Sequence, residues 1–252
     1  MVIGINYANG VCRPEQMYSA TTARKRGQFD KFIEYSPKDL DENFVRANAN
    51  ILNKPRGGGY WLWKPYVILK TLEQANDGDY VFYADCDKYY TGSIRPLIKC
   101  MADQGRDIML FSQDFFEYAY TKRDILDFFG VVGNPKFTET RQFLGGFQCY
   151  RKSEHSMEFV EKLLENSTTG DLITDAKSVT GSEDRRFIQT RRDQSILSIQ
   201  AKAYGIQPHR RPEKPPGKEL PGDAPSPYGE FMDTKRLRGS AVIAKRLCAR
   251  VR

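Results

Sequence analysis

The segment GDYVFYADCDKYY, residues 78–90, constrains the chain most. Its core, DYVFYA, has no alternating polar face, which is the pattern of a strand buried on both sides in a sheet covered by helices. The run ends abruptly on Asp85, Cys86 and Asp87, with Lys88 beside them. In open α/β sheets, ligands bind at the carboxyl ends of strands. Residues two apart on a strand point to the same side, so Asp85 and Asp87 can converge where the chain begins to turn. Two close carboxylates repel unless a cation lies between them. Oxygen ligands suit Mg²⁺ or Mn²⁺, which completes its coordination with substrate phosphates. The alternative is a solvated turn after a strand.

Upstream, VIGINY reads as a first strand, 13–26 as a helix, and FDKFIEYSP as a second strand stopped by Ser36-Pro37. Residues 41–53 read as helical, followed by a Gly-rich aromatic loop, NKPRGGGYWLWKP. Leu62, Tyr66, Leu69 and Leu72 then recur at helical spacing, with Pro65 tolerated in the first turn. Ser93 can cap a helix to about residue 104, and DIMLFS is another strand. Alternating strands and helices predict an α/β fold: a Rossmann-like, mainly parallel central sheet flanked by helices. Residues 113–142 read as irregular, FLGGFQCYRKS as a strand, 153–165 as a helix, and 167–190 as polar and mobile. RRDQSILSIQAKAYG reads as a helix ending at Gly205, and 208–230 is too rich in Pro and Gly for regular structure. We expect one domain over 1–230 and a basic tail over 231–252.

The length of 252 residues suits one large α/β domain. No apolar run of about 18 residues spans a bilayer, and the first residues lack the pattern of a signal peptide. Five cysteines (Cys12, Cys86, Cys100, Cys149, Cys248) without CxxC spacing predict reduced thiols in a cytoplasmic compartment. Seven of the 39 basic residues lie between Lys235 and Arg252, where no acidic residue occurs; the other 32 balance the 32 Asp and Glu. A neutral body argues against nucleic acid as a partner. In the tail, Ile243, Leu247 and Val251 recur at i, i+4, i+8 among Lys245, Arg246 and Arg250. That pattern fits a short basic amphipathic helix on an anionic membrane surface, or a frayed solvated end.

The stretch NKPRGGGYWLWKPYVILKTLEQANDGDYVFYADCD resembles the core of GT-A-fold glycosyltransferases, notably a group from bacterial capsule and O-antigen clusters. YWLWKP leading into an Asp-x-Asp strand is its most specific feature. FLGGFQCYRKS and RRDQSILSI resemble that group's downstream motifs in the same order, so the resemblance covers roughly 1–210. The wider architecture resembles retaining glycosyltransferase families 8 and 32. The resemblance implies a metal-assisted transfer from a nucleotide-diphosphate sugar, most simply a UDP-sugar, to a glycan or lipid-linked glycan hydroxyl. It implies Asp85 and Asp87 as metal ligands with Cys86 between them, Lys64 near the diphosphate and donor sugar, and Gly145 and Gly146 against the sugar. It implies Asp193 and Gln194 near the sugar hydroxyls and anomeric carbon, and Tyr7 and Ala8 at the uracil and ribose. The family's late histidine ligand has no match, since His155 and His209 stand in other contexts; Asp233, Arg236 or Arg238 are the candidates to replace its role.

Each residue has a plainer reading. Lys64 in a first helical turn can be a solvated residue. One of Trp61 and Trp63 belongs to the core and the other near the donor or acceptor. Gly57–Gly59 beside Arg56 allow close backbone approach or form a flexible loop. Gly145-Gly146 within a strand signals close ligand approach or a bulge. Asp193 can simply cap the helix that follows. Two other functions use the same carboxylates or the same fold: a metal-dependent nucleotidyl- or phosphotransferase, and a catalytically inactive glycan- or nucleic-acid-binding module. The first calls for a second acidic cluster or a GxxxxGK loop, and the sequence has neither.

Overall fold

The computed structural model describes residues 1–233. The predicted tail helix, Arg236 and Arg238 lie outside the described residues. The elements run β1 (Val2–Tyr7), α1 (Arg13–Thr22), β2 (Lys31–Tyr35), α2 (Glu42–Ala47), α3 (Ala49–Leu52), a four-residue turn α4 (Gly57–Tyr60), and α5 (Trp63–Gln74). They continue as β3 (Tyr80–Ala84), β4 (Tyr89–Tyr90), α6 (Arg95–Asp103), β5 (Ile108–Phe116), α7 (Glu117–Tyr120), α8 (Arg123–Phe128) and α9 (Pro135–Thr138). The last are β6 (Arg141–Arg151), α10 (Glu154–Thr168), α11 (Asp193–Ala203) and β7 (Met232–Asp233).

The main sheet has the order β2-β1-β3-β6-β5. β1 pairs parallel with β2 and β3, whereas β6 is antiparallel to both of its neighbours. Four of the five strands therefore share one direction, as expected, and β6 is the exception. Its entry lies at the end where β5 finishes, because the short helices α7–α9 return the chain there without a crossover.

Side-chain alternation along β3 supplies both faces. Val81 and Tyr83 enter one core with Ile3, Ile5, Val67, Phe159 and Ile196. Phe82 and Ala84 enter the other with Leu97, Met101, Phe111, Phe147 and Phe231. α5, α10 and α11 cover the first face, and α6 with the segment before β7 covers the second. Gly4 is required where β1 meets β2, since a Cβ there would stand 2.4 Å from the Phe32 ring.

Three segments differ from their sequence reading. The helix expected over 41–53 is two short helices, α2 and α3. The region 113–142 is more ordered than expected: β5 extends to Phe116 and three short helices follow. A buried network organises it. The fully buried Glu117 accepts hydrogen bonds from Thr121, Ser198, Lys202 and Gln142, joining α7, β6 and α11. The region 169–192 has no regular element, yet it is tied to the body: the buried Lys122 ammonium donates to the carbonyls of Asp171, Thr174 and Ala176.

The Pro-rich segment 208–230 lacks helices and strands, as expected, and it is firmly attached. His209 bridges Phe111 and Ala224. The fully buried Arg210 donates to the carbonyls of Lys214, Ser226 and Tyr228 and pairs with Glu219 at 3.1 Å. The segment then feeds β7, which pairs antiparallel with β4.

Candidate active site

β3 delivers Asp85 to the end of the sheet, between α5 and β6. Tyr83 donates its hydroxyl to Asp85 Oδ1 at 2.7 Å, and the Asp85 amide donates to the Gly146 carbonyl at 3.0 Å. A Cβ on Gly146 would stand 2.9 Å from Asp85 Oδ2. A Cβ on Gly145 would stand 3.2 Å from Asp193 Oδ2 and from Gln194 Cβ. The two glycines thus let β6 pass against three of the expected site residues, and they also lie in an irregularity of the sheet, since the β5–β6 register shifts between Leu110↔Gln148 and Ser112↔Phe143.

Lys64 stands at the centre. It is 3% exposed, so the solvated reading is wrong. Its ammonium lies 2.6 Å from Asp193 Oδ2, 3.2 Å from the Gly145 carbonyl and 3.5 Å from Asp85 Oδ1, over the face of the Tyr83 ring. Burial opposes the charge on Lys64, but Asp193 and Asp85 outweigh it and its pKa is raised. Burial also acts to raise Asp85, yet Lys64 and Lys88 prevail and hold it below the usual carboxylate value. For Asp193, burial prevails over Lys64 and the pKa is raised. Asp193 is not the cap of α11; Arg192 takes that position, and the Asp193 carboxylate faces Lys64 instead. Gln194 accepts from the Gly145 amide at 3.1 Å and donates to Gln142 at 2.7 Å, which links it to the Glu117 network.

The residues before α5 form a left-handed turn. Gly57, Gly58, Gly59, Tyr60 and Trp61 all have φ between 52° and 93°. Glycine adopts this conformation freely, whereas Tyr60 and Trp61 carry strain there, a feature that concentrates at functional sites. The turn separates the two tryptophans. Trp63 is buried, stacked on Tyr7 with ring centroids 3.9 Å apart, and donates to the Gly57 carbonyl. Trp61 is half-buried at the site.

Two cavities meet here. The smaller, about 290 Å³, is lined by Tyr7, Ala8, Cys12, Trp63 and Cys86 among others. The larger, about 680 Å³, is lined by Lys64, Gly145, Gly146, Asp193 and Gln194. Trp61, Asp85 and Asp87 line both. Tyr7, Ala8, Lys64, Asp85, Cys86, Asp87, Gly145, Gly146, Asp193 and Gln194 therefore each border one cavity or the other. Asp233 borders neither and accepts from the Tyr89 hydroxyl at 2.7 Å. His209 is buried away from both, 2.9 Å from Gln104.

The larger cavity also holds residues the sequence reading did not single out. Arg191 lies over the rings of Phe115 and Tyr120. Lys88 pairs with Asp87 at 3.0 Å. Arg211 and Glu213 reach the cavity from the Pro-rich segment, 3.7 Å apart. Burial raises the Glu213 pKa, and its Oε2 is buried without a hydrogen-bond partner. The one signal for Arg211 and Glu213 was charge: HRRPEK opens the Pro-rich segment with four basic or acidic side chains in six residues.

No family model and no curated protein matches the chain. Among solved structures, mouse xyloside xylosyltransferase 1 superposes with a TM-score of 0.47 at 10% identity, covering 84% of this chain and 85% of its own. The galactosyltransferase LgtC in complex with donor and acceptor sugar analogs gives 0.47 at 14%, covering 99% and 96%. The glycosyltransferase GlyE of Streptococcus pneumoniae TIGR4 gives 0.39 at 15%, covering 80% and 43%. At such scores and identities, the function has to come from the residues of this chain.

Proposed function

We propose that this chain is a GT-A glycosyltransferase that moves a sugar from a UDP-sugar to a hydroxyl of a glycan or lipid-linked glycan, with retention of anomeric configuration. One observation carries the reading: Asp85 and Asp87 line both a small aromatic-walled cavity and a larger polar one. A nucleotide sugar has the matching layout, with base and ribose on one side of a diphosphate and the sugar on the other. The cavity sizes are of the order of small-ligand sites, roughly 300–1,000 Å³.

The residues fit a divalent cation. Asp85 is held ionised, and its Oδ2 lies open against Gly146, where no Cβ intrudes. Among the described residues no group of three His, Cys, Asp or Glu side chains gathers for a metal. Asp85 and Asp87 would therefore hold Mn²⁺ or Mg²⁺ together with phosphate oxygens and water. The bound ion supplies Lewis-acid stabilisation of the diphosphate leaving group.

The chain's own groups do the rest. Lys64 fixes Asp85 and Asp193 on either side of itself and adds positive charge where the leaving group develops negative charge. Asp193, with the Gly145-Gly146 backbone, shapes the sugar side, and Gln194 holds that backbone in place. Tyr7 and Ala8 line the nucleoside side. Among the described residues no helix is long and apolar enough to cross a membrane; contact of the basic tail with an anionic membrane surface belongs to the same proposal.

The test is release of nucleotide diphosphate from a panel of nucleotide sugars, with Mn²⁺ or with a chelator. UDP release from at least one UDP-sugar is expected. Release from no nucleotide sugar would overturn the reading. The product anomer, assigned by NMR, tests retention; inversion would make Asp193 a general base toward the acceptor.

A further inference from the structure

Gln142 lies fully buried in β6 and borders neither cavity of the site, yet it touches Gln194, which lines the larger one. Its side-chain nitrogen is ringed by four oxygens. Thr121 Oγ1 stands at 2.9 Å, the Tyr120 carbonyl and Glu117 Oε2 at 3.1 Å each, and Ser195 Oγ at 3.3 Å. All four can only accept. A carbonyl has no proton to give. The Thr121 hydroxyl spends its proton on Glu117, and the Ser195 hydroxyl donates to the Tyr120 carbonyl at 2.7 Å. Glu117 in turn accepts from the Lys202 ammonium and the Ser198 hydroxyl, as a carboxylate does. The atom of Gln142 that faces this ring therefore has to be its NH₂, and its oxygen has to face the other way, toward Gln194.

The opposite end of the chain of bonds sets the same condition independently. The Gly145 backbone N–H can only donate, so the Gln194 atom that it meets at 3.1 Å has to be the oxygen. The Gln194 nitrogen then donates to the Gln142 oxygen at 2.7 Å. Turning the Gln194 amide over would set N–H against N–H at Gly145 and oxygen against oxygen at Gln142, and both bonds would be lost. What Gln194 can still offer a ligand thus has a fixed place: its second N–H beside Gln142 and its second lone pair beside Gly145. The line Lys202–Glu117–Gln142–Gln194 joins α11, α7 and β6 and begins at a buried ion pair. Such pairs add little net stability, and their best-attested use is to select one arrangement over its alternatives.

We propose that Gln142 is a positioning residue for the transfer: anchored on the Glu117 carboxylate, it fixes the orientation in which the Gln194 amide meets the donor sugar. Gln142 touches no substrate and acts only through Gln194. This rests on reading the larger cavity as the place of sugar transfer.

The test is a double-mutant cycle on the full chain with Gln142→Met, Gln194→Met and the two together. Turnover is read as UDP release at saturating UDP-sugar, and UDP affinity with Mn²⁺, by calorimetry, reports the nucleoside side of the site. Gln142→Met is expected to lower turnover about tenfold or more, since small misplacements of a reacting geometry are costly, with UDP affinity within about twofold of wild type. In the Gln194→Met background the same change is expected to cost less than about twofold, because the residue through which it acts is already gone. Turnover of Gln142→Met within about twofold of wild type, or a full loss repeated in the Gln194→Met background, overturns the proposal. If Gln142→Met loses UDP affinity as well, Gln142→Asn, which keeps the amide, is put through the same cycle; loss of UDP affinity in both makes Gln142 a structural residue and overturns the proposal. Wild type that releases UDP from no UDP-sugar overturns the transferase reading itself, and the proposal with it.

Discussion

Lys64 shows how one buried residue can serve structure and chemistry together. Its ammonium contacts α11, β6 and the end of β3, so it fixes the cleft geometry as well as its charge. Lys64→Gln keeps part of the hydrogen bonding and removes the charge. If the charge stabilises the leaving group, turnover should fall about 10²–10³-fold, as measured by nucleotide release under saturating donor. A variant within a few-fold of wild type would reduce Lys64 to a structural tie. His209 offers a test away from the cleft. Burial and nearby Arg106 push its pKa from 6.5 to about 4. Above about pH 6.5 both folded and unfolded chains carry it neutral, and its stability contribution is fully present. As pH falls from there toward 4, the unfolded chain takes up a proton that the folded chain refuses, and about 3 kcal/mol is lost at the limit. His209→Gln does not titrate, so the stability advantage of wild type over this variant, from urea unfolding, should shrink between pH 7 and pH 4.5. A constant difference would contradict the burial argument.

At the scale of elements, the turn Gly57–Tyr60 leads the chain into Trp61, which borders both cavities, and Trp63, which borders the smaller one. Gly59 has φ 93°, and a Cβ there would lie 2.6 Å from the Leu52 Cα. Gly59→Ala should therefore cost about 2 kcal/mol or more of stability, since both the left-handed backbone and the contact penalise it. Unfolding in urea measures this, and a change within about 0.5 kcal/mol would contradict it. The sequence announced a Gly-rich loop but not its hand, because three glycines permit many paths and only the packing on Leu52 and Trp63 selects one. In the same way β1, β3 and α5 were legible from apolar pattern, and the helix read over 153–165 is α10, with Ser153 as its cap in the structure. The helices α7–α9 were not. Four to six residues carry little periodic signal, and their existence depends on the buried Glu117 network with partners far along the chain. The direction of β6 was hidden for a related reason: strand pattern is the same for parallel and antiparallel neighbours.

At the scale of the molecule, the cleft is assembled from distant segments. Lys64 and Asp193, paired at 2.6 Å, are 129 residues apart. The core of the site was legible because its residues sit at strand ends and helix starts, next to glycines and aromatics that mark them. Arg211 and Glu213 lacked such context. They reach the cleft only because the long irregular segment 208–230 is pinned by Arg210, which a linear pattern does not reveal. The central claim is that Asp85 and Asp87 join a nucleoside cavity to a sugar cavity through a metal-bound diphosphate. Its most direct test is thermal stabilisation by a panel of UDP-sugars, with and without Mn²⁺, of wild type and of the double variant Asp85→Ala/Asp87→Ala. Mn²⁺-dependent stabilisation of wild type by a UDP-sugar, lost in the double variant, is the expected result; no stabilisation of wild type, or equal stabilisation of both proteins, would contradict it.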